Sequence, residues 1–266
     1  MASRTMAELQ MLQALPLEVK VRKTEERIKE WVEEYGIDGV YVSFSGGKDS
    51  TVLLHIARRL FPTIKAVFVD TGLEYPEIRE FVRTFDNVEW LRPKMNFKQV
   101  IEKYGYPFIS KEISESIHEA RRSIELGKTD TLRIRQLTGQ TNGRFDKSKY
   151  LFFLDSDIRI SNMCCNEMKK KPVKSYEKEN KRVPITGQMA SESTQRQSQW
   201  LKNGCNGFEL KRPVSNPMSF WTEQDVLMYI KKNNIPIASV YGEVVVDYEK
   251  EIQLEGQMNL FDIGVS

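Results

Sequence analysis

Between residues 39 and 91 the chain alternates strand, helix, strand, helix, strand, and few folds accommodate that order. Gly39–Phe44 is a compact β-rich run that suits a buried strand, and Thr51–Phe61 follows with Val52, Leu53, Ile56 and Leu60 on one helical face. Ile64–Val69 predicts a second strand, Pro76 opens a helix over about 75–85, and Val88–Leu91 predicts a third strand. Parallel strands need crossover connections, so this βαβαβ run implies a parallel sheet with helices on its faces.

Elsewhere the pattern is mainly helical. Leu9, Leu12, Leu15, Ile28, Trp31 and Val32 recur at helical spacing over residues 7–35, with a break at Pro16 and an end at Gly36. Residues 97–126 read as helix and 127–150 as a polar insertion containing Gly127, Gly139 and Gly143. Leu151–Leu154 predicts an apolar strand, and Val183–Gly187 a strand running into a loop. Thr222 is a natural N-cap for a helix over 222–233, with Glu223 and Asp225 in its first turn. The expected organisation is a helical segment at 1–36, an α/β domain at 37–215, and a C-terminal helix with an acidic tail at 216–266.

Composition excludes several classes. Hydrophobic residues make up 40% and charged residues 29% of the 266, as in ordinary soluble domains. No apolar run approaches the roughly 18–20 residues that span a bilayer, and Met1–Thr5 lacks the apolar segment of a signal peptide, so a cytoplasmic protein without membrane partners is expected. Cys164, Cys165 and Cys205 are too few for a disulfide framework. The net charge is only +3, yet residues 166–212 carry eleven Lys and Arg against five Asp and Glu. The tail from Tyr241 to Ser266 reverses this, with one Lys against six acids. A basic middle suits either an anion or a plainly solvated surface.

The loop Ser45-Gly46-Gly47-Lys48-Asp49-Ser50 stands between the first strand and the first helix of the alternation. Its amides therefore face a helix N-terminus, where unpaired N–H groups and the helix dipole make an anion site. The glycines let the backbone approach phosphate oxygens, Lys48 adds a movable cation, and Ser45 and Ser50 add hydroxyls. Asp49 would repel a phosphate directly, so a Mg²⁺ contact or a packing role suits it better. The loop is not a Walker A motif, because Val42 stands where the first glycine belongs and Asp49 separates Lys48 from Ser50. Nor is it a dinucleotide fingerprint.

Ser45–Ser50 resembles the PP-loop of the N-type ATP pyrophosphatases. Phe68-Val69-Asp70-Thr71-Gly72 with Tyr75-Pro76-Glu77 resembles the second-strand motif of that superfamily's phosphoadenosine phosphosulfate (PAPS) reductase branch. Cys164-Cys165 with Lys169, Lys170 and Pro172 is similar to its double-cysteine segment. Thr186-Gly187 with Glu192, Ser193 and Arg196 is similar to its later nucleotide loop, and Pro217–Thr222 with Asp225-Val226 to its tryptophan-bearing helix start. These motifs run in family order over roughly residues 38–241.

The resemblance implies an adenine nucleotide α-hydrolase-like fold: a parallel five-stranded sheet with flanking helices, an N-terminal helix and a helical C-terminal extension. It implies nucleotide contacts from Ser43, Ser45, Gly46, Gly47, Lys48, Asp49, Ser50, Phe68, Val69, Asp70, Gly72, Thr186 and Gly187, with ATP and Mg²⁺ as ligands. Lys48, Asp49 and Arg196 are the expected catalytic residues, Lys48 neutralising charge as pyrophosphate leaves and Arg196 contacting a phosphate or sulfate. The implied reaction is ATP cleavage between the α and β phosphates, an adenylyl transfer in sulfur metabolism or thiolation. The alternative within the family is reduction of a sulfonucleotide (APS or PAPS). Reductases usually carry a degenerate loop, whereas this one is complete, and the family arginine after Thr-Gly is here Met189. Both departures favour cleavage.

In cluster-bearing relatives the double cysteine pairs with a C-terminal Cys-x-x-Cys around a [4Fe–4S] centre. None follows Cys205 before the chain ends at Ser266, which reads as a truncation. A cluster on Cys164, Cys165 and Cys205 is one expectation, a structural pair or Zn²⁺ the others. His55 and His118 read as packing or solvated residues. Arg121, Arg122, Arg133, Arg135 and Arg144 could meet a nucleic-acid backbone, but with no interleaved aromatic stripe visible a solvated face is the better reading, and a nucleic-acid-binding subunit that holds ATP as ligand is the remaining alternative. A nucleotide, a sulfur-donor protein and a second copy of the chain are the expected partners.

Overall fold

The computed structural model describes residues 4–244. Helix α1 (Met6–Gln13) starts with a capping box: Thr5 Oγ1 accepts from the Glu8 N–H at 3.2 Å, and Glu8 accepts from the Thr5 N–H at 2.6 Å. Pro16 opens α2 (Leu17–Tyr35), which ends where the Gly36 N–H donates to Val32 at 2.8 Å. Strand β1 (Val40–Ser43) buries Val40, Tyr41 and Val42 in succession, as a strand covered on both faces must. Then come α3 (Lys48–Leu60), β2 (Ala66–Val69), α4 (Pro76–Arg83), β3 (Val88–Leu91), α5 (Phe97–Tyr104), α6 (Lys111–Glu125) and α7 (Leu132–Leu137). The short α8 (Met163–Cys165) runs through a π-helical turn, Asn166–Lys170, into α9 (Lys171–Asn180). Strand β4 (Val183–Ile185), α10 (Thr194–Asn203), β5 (Asn206–Gly207), β6 (Val214–Ser215) and α11 (Glu223–Lys232) complete the order.

The sheet has six strands in the order β3-β2-β1-β4-β6-β5. Strand β1 lies parallel to both neighbours, with Val42 opposite Ala66 and Val40 opposite Val183. Strands β4 and β6 are also parallel, and β5 pairs antiparallel with β6. The mixed α/β class and flanking helices are as expected, and the strand count is six rather than five. The additional edge strand is two residues long, too short to leave any periodicity in the sequence.

Within residues 4–244 the chain packs as two units, one of residues up to 68, 74–90 and from 176 on, the other of 69–73 and 91–175. The first holds the main core, with Trp31, Val42, Phe44, Leu53, Ile56 and Trp221 among its buried side chains. A buried ion pair ties α2 to α11 there: Lys20 Nζ lies 2.7 Å from Asp225 Oδ2, with side chains 3% and 6% exposed. Asp225 also accepts from the Thr222 N–H at 2.7 Å and so caps α11, while Trp221 Nε1 donates to Thr24 Oγ1 at 2.9 Å.

The second unit packs Ile113, Ile117, Ala120, Ile134, Leu137, Phe153 and Ile160 into a smaller core. The Leu151–Leu154 strand is corrected here: Ser148–Phe153 is a 3-10 helix. Of its apolar run, Phe153 is buried while Leu151 and Phe152 are exposed, so one ring anchors the segment and no two-residue alternation exists to build a strand. Arg121 grips the turn that follows, donating to the carbonyls of Phe153, Ser156 and Ile158. The polar stretch 127–150 also contains α7, capped by Thr131.

Removing one partner of the Lys20–Asp225 pair strands a buried charge. Lys20→Met is expected to destabilise the protein by about 3 kcal/mol or more, and Lys20→Met with Asp225→Leu by distinctly less, read as midpoints of urea unfolding. Equal losses in the single and double variants would contradict this account.

Candidate functional site

Strand order reverses at β1. The chain steps from β1 to β2 and β3 on one side, then crosses to β4 and β6 on the other. In open α/β sheets ligands bind beyond the carboxyl ends of the strands at such a reversal. The segments leaving β1 and β4 are Ser45–Ser50 and Thr186–Gly187, and they meet: a Cβ on Gly187 would lie 3.1 Å from the Asp49 carbonyl oxygen. A side chain at 187 would crowd these two backbones.

Within the Ser45–Ser50 loop, hydroxyls hold the turn. Ser50 Oγ donates to the Gly47 carbonyl at 2.9 Å and accepts from the Ser45 N–H at 3.1 Å, and the two serine hydroxyls lie 3.0 Å apart. Gly46 takes φ +73°, and a Cβ there would stand 2.8 Å from methyl groups of Ile78 and Val82 on α4. Gly47 occupies the N-cap of α3 with no side-chain cap. The N–H groups of Lys48, Asp49 and Ser50 therefore open the helix with no intrahelical carbonyl to meet them, in the field of the positive helix end.

Charge concentrates at the same spot. Lys48 Nζ lies 3.3 Å from Asp49 Oδ1 and 3.2 Å from Glu223 Oε1, at the start of α11. Burial alone would lower the Lys48 amine, but the two carboxylates outweigh it and hold the pKa above its ordinary value. Asp49 Oδ1 is buried, accepts no hydrogen bond, and faces Lys48 Nζ at 3.3 Å. A carboxylate oxygen without a hydrogen bond, beside a phosphate-type cradle, suits a hard cation such as Mg²⁺. Tyr241, in the 3-10 turn Ser239–Tyr241, completes the loop's surroundings, since a Cβ on Gly47 would stand 3.2 Å from its hydroxyl.

The other expected residues divide. Ser43 closes β1 opposite Val67. Thr186 turns its hydroxyl to Asn216, away from the role of a free donor. Arg196, on α10, pairs with Glu192 and lines a cavity of about 290 Å³ with Gln188, Gln199, Arg212 and Asn216, a cavity to which Ser45–Ser50 contribute no lining residue. Met189 is 2% exposed and packs in the core, so the position after Thr-Gly offers no cation. Phe68 also lies in the core of the first unit, edge-on to Trp90.

Val69, Asp70 and Gly72 belong to the second unit. There Asp70 accepts from the Gly72 N–H at 3.3 Å and lies 3.5 Å from Arg92 Nε. Cys164 and Cys165 belong to the same unit, half-buried and free, and burial with the adjacent Cys165 thiol pushes Cys164 upward. Cys205 belongs to the first unit, its thiol 3.2 Å from the Ser219 hydroxyl and pushed upward by burial. A cluster needs converging thiolates. Among the described residues no group of three or more His, Cys, Asp and Glu side chains gathers to hold a metal ion.

Glu223 and Tyr241 are site residues that the sequence reading did not assign. Glu223 stood out only as a first-turn acid, and nothing local marks Tyr241. His55 bonds Tyr229 at 3.0 Å, a packing role as expected. Among the described residues no helix is long and apolar enough to cross a membrane.

The sequence profile of the phosphoadenosine phosphosulfate reductase domain matches residues 39–245, and the chain belongs to that family. It is 34% identical over 87 residues to a phosphoadenosine 5'-phosphosulfate reductase of Xylella fastidiosa, covering 33% of this chain and 35% of that protein. It is 27% identical over 237 residues to sulfate adenylyltransferase subunit 2 of Agrobacterium fabrum, covering 84% of this chain and 62% of the relative. An uncharacterized protein of Methanocaldococcus jannaschii is 38% identical over 73 residues, 26% of this chain and 18% of that one. The chain thus spans less than two thirds of the length of each of these relatives. A phosphoadenylyl-sulfate reductase structure from Candida auris aligns over 90% of this chain and 92% of its own, with 14% identity and a TM-score of 0.48. The family ties the chain to sulfur metabolism.

Gly46→Ala tests the loop geometry without reference to a ligand. The positive φ and the Ile78 and Val82 contacts together are expected to cost about 1–3 kcal/mol in unfolding free energy, against under about 0.5 kcal/mol for an exposed control such as Gly127→Asn.

Proposed function

We propose that this chain binds MgATP at the Ser45–Ser50 loop and cleaves it between the α and β phosphates, transferring AMP to an acceptor and releasing pyrophosphate. The observation that carries this reading is the open N-terminus of α3, whose free amides stand beside Lys48 and the Asp49 carboxylate at the strand-order reversal of β1. The amides and the glycine turn would hold the β and γ phosphates. When bound, Mg²⁺ would supply positive charge to the polyphosphate, with Asp49 as the residue that holds it. An acceptor oxygen would attack the α-phosphorus, and the bond to the α,β-bridging oxygen would break with its electron pair leaving on pyrophosphate. Lys48 would meet that developing charge.

Glu223 holds Lys48 by an exposed ion pair, a contact of at most about 1 kcal/mol that an incoming phosphate would displace. Arg196, in its neighbouring cavity, would bind the acceptor end, where an anion such as sulfate could replace Glu192 as its partner. The likeness to sulfate adenylyltransferase subunit 2 supports sulfate as acceptor and a second subunit as partner. The likeness to phosphoadenosine 5'-phosphosulfate reductases supports a second reading, thiol-dependent sulfonucleotide reduction. The intact loop and buried Met189 weigh against it.

The nucleotide product separates the readings. MgATP with sulfate is expected to give pyrophosphate and an adenylyl product, resolved by chromatography, and Lys48→Ala is expected to lower that rate by about a hundredfold. ADP and phosphate as products, or sulfite from PAPS with a dithiol donor and no ATP turnover, would overturn the proposal. Glu223→Gln is expected to lower the Lys48 pKa and to tighten MgATP binding severalfold in equilibrium dialysis, because a competing carboxylate is gone.

A further inference from the structure

The second unit carries a charge that the chain as a whole conceals. Residues 91–175 hold 18 Lys and Arg against 10 Asp and Glu, a net +8. The whole chain is only +3, so everything outside that segment sums to −5. Several of the cations are spent within the unit: Arg133 pairs with Glu115 and Glu119, Arg135 with Asp130, and the buried Lys147 with Glu112. Arg121 is committed to carbonyls. Arg122, Lys128, Arg144 and Lys149 have no ion-pair partner among the described residues, and all four are exposed.

Aromatic rings accompany these free cations. The Arg144 guanidinium lies 4.9 Å from the ring centroid of Phe145, and Lys149 Nζ lies 4.9 Å from that of Tyr150. Phe145 is 51% exposed and Phe152 62%, beside a 3-10 turn anchored by the buried Phe153. Where α6 gives way to α7, a shallow hollow is lined by Arg122 and Lys128 together with the exposed Leu126 and Leu132. Exposed Phe145, beside the unpaired Arg144, and exposed Phe152, two residues after Tyr150 with its Lys149, offer ring faces and positive charge of the kind that stacks bases and neutralises phosphates. A duplex hides its base faces, so its stacking half would go unused.

We propose that the exposed stretch of the second unit from Arg144 to Phe152, with Arg122 and Lys128 at the α6–α7 hollow, docks single-stranded nucleic acid. The commitment to a polyanion rests on the +8 charge of residues 91–175 with the unpaired Arg122, Lys128, Arg144 and Lys149, and the commitment to single strands rests on the exposed rings. The proposal is independent of the nucleotide reaction, because none of these residues belongs to the Ser45–Ser50 site.

The test is fluorescence anisotropy of the full chain with labelled 20-mers of dT and U, a duplex of the same length, and vesicles containing a third phosphatidylserine. Single strands are expected to bind with an affinity falling as salt rises from 50 to 200 mM, with a log–log slope of about −2 to −3. The dT and U arms decide whether DNA or RNA is preferred. Arg144→Glu with Lys149→Glu is expected to weaken binding at least tenfold and flatten the slope. Phe145→Ala with Phe152→Ala is expected to weaken it on the order of tenfold with the slope unchanged. The altered side chains are exposed, and unchanged urea midpoints would show that the variants fold. No single-strand binding by the wild type at 50 mM salt, variants that bind as the wild type does, equal binding to duplex, or binding to vesicles alone would each overturn the proposal.

Discussion

Strand β1 sets the terms for the rest of the first unit. It is covered by neighbours on both edges and buries Val40, Tyr41 and Val42 in a row, so it has no solvent-facing side and can sit only at the centre of the sheet. A central strand between β2 and β4 means that the connections leave in opposite directions, which opens a crevice at its carboxyl end. The next helix must start in that crevice. Its N-terminal amides cannot be capped by a side chain without filling the space, and Gly47 at the N-cap leaves them bare. Packing thus creates the electrostatic feature: the core demand on β1 places the positive end of α3 where the sheet cannot cover it.

The closure of that crevice is equally physical. Gly46 fits under the Ile78 and Val82 methyl groups, and Gly187 fits against the Asp49 carbonyl, so the α4 face and the β4 loop approach the turn from two directions. On the far side, the Lys20–Asp225 pair and the Thr24–Trp221 hydrogen bond fix α11 against α2. That docking carries Glu223, two residues before Asp225, into reach of Lys48. A buried ion pair between sequence-distant helices therefore positions an exposed carboxylate at the candidate site.

Much of this was legible before any coordinates. The helix and strand periods gave the βαβαβ run, Pro16 and Gly36 marked the breaks around α2, and Thr222 with Asp225 announced the cap of α11. The loop announced itself by chemistry, since glycines, a lysine and serines between a strand and a helix have few other uses. What was illegible depended on long-range contact. Strands β5 and β6 are two residues each and are defined only by their partners. The run Leu151–Leu154 looked like a strand because its composition is apolar, but exposure of Phe152 beside buried Phe153 is decided by the α6 and α7 packing around it. Tyr241 reaches the loop from nearly two hundred residues away, and no local pattern encodes that.

The carboxylates around Lys48 also explain how a strongly anionic ligand could enter without a large rearrangement. Asp49 is sequence-adjacent and partly buried, whereas Glu223 is 69% exposed and held by one ion pair. Water screens an exposed pair, so exchanging Glu223 for a phosphate oxygen costs little, while the Asp49 contact persists. A lysine held by two carboxylates stays charged and extended at the helix end, ready for a stronger anion. If Glu223 were instead buried, breaking the pair would strand a desolvated charge and the site would resist its ligand. The exposure of one carboxylate, set by where the first turn of α11 emerges from the core, thus separates a latched site from a blocked one.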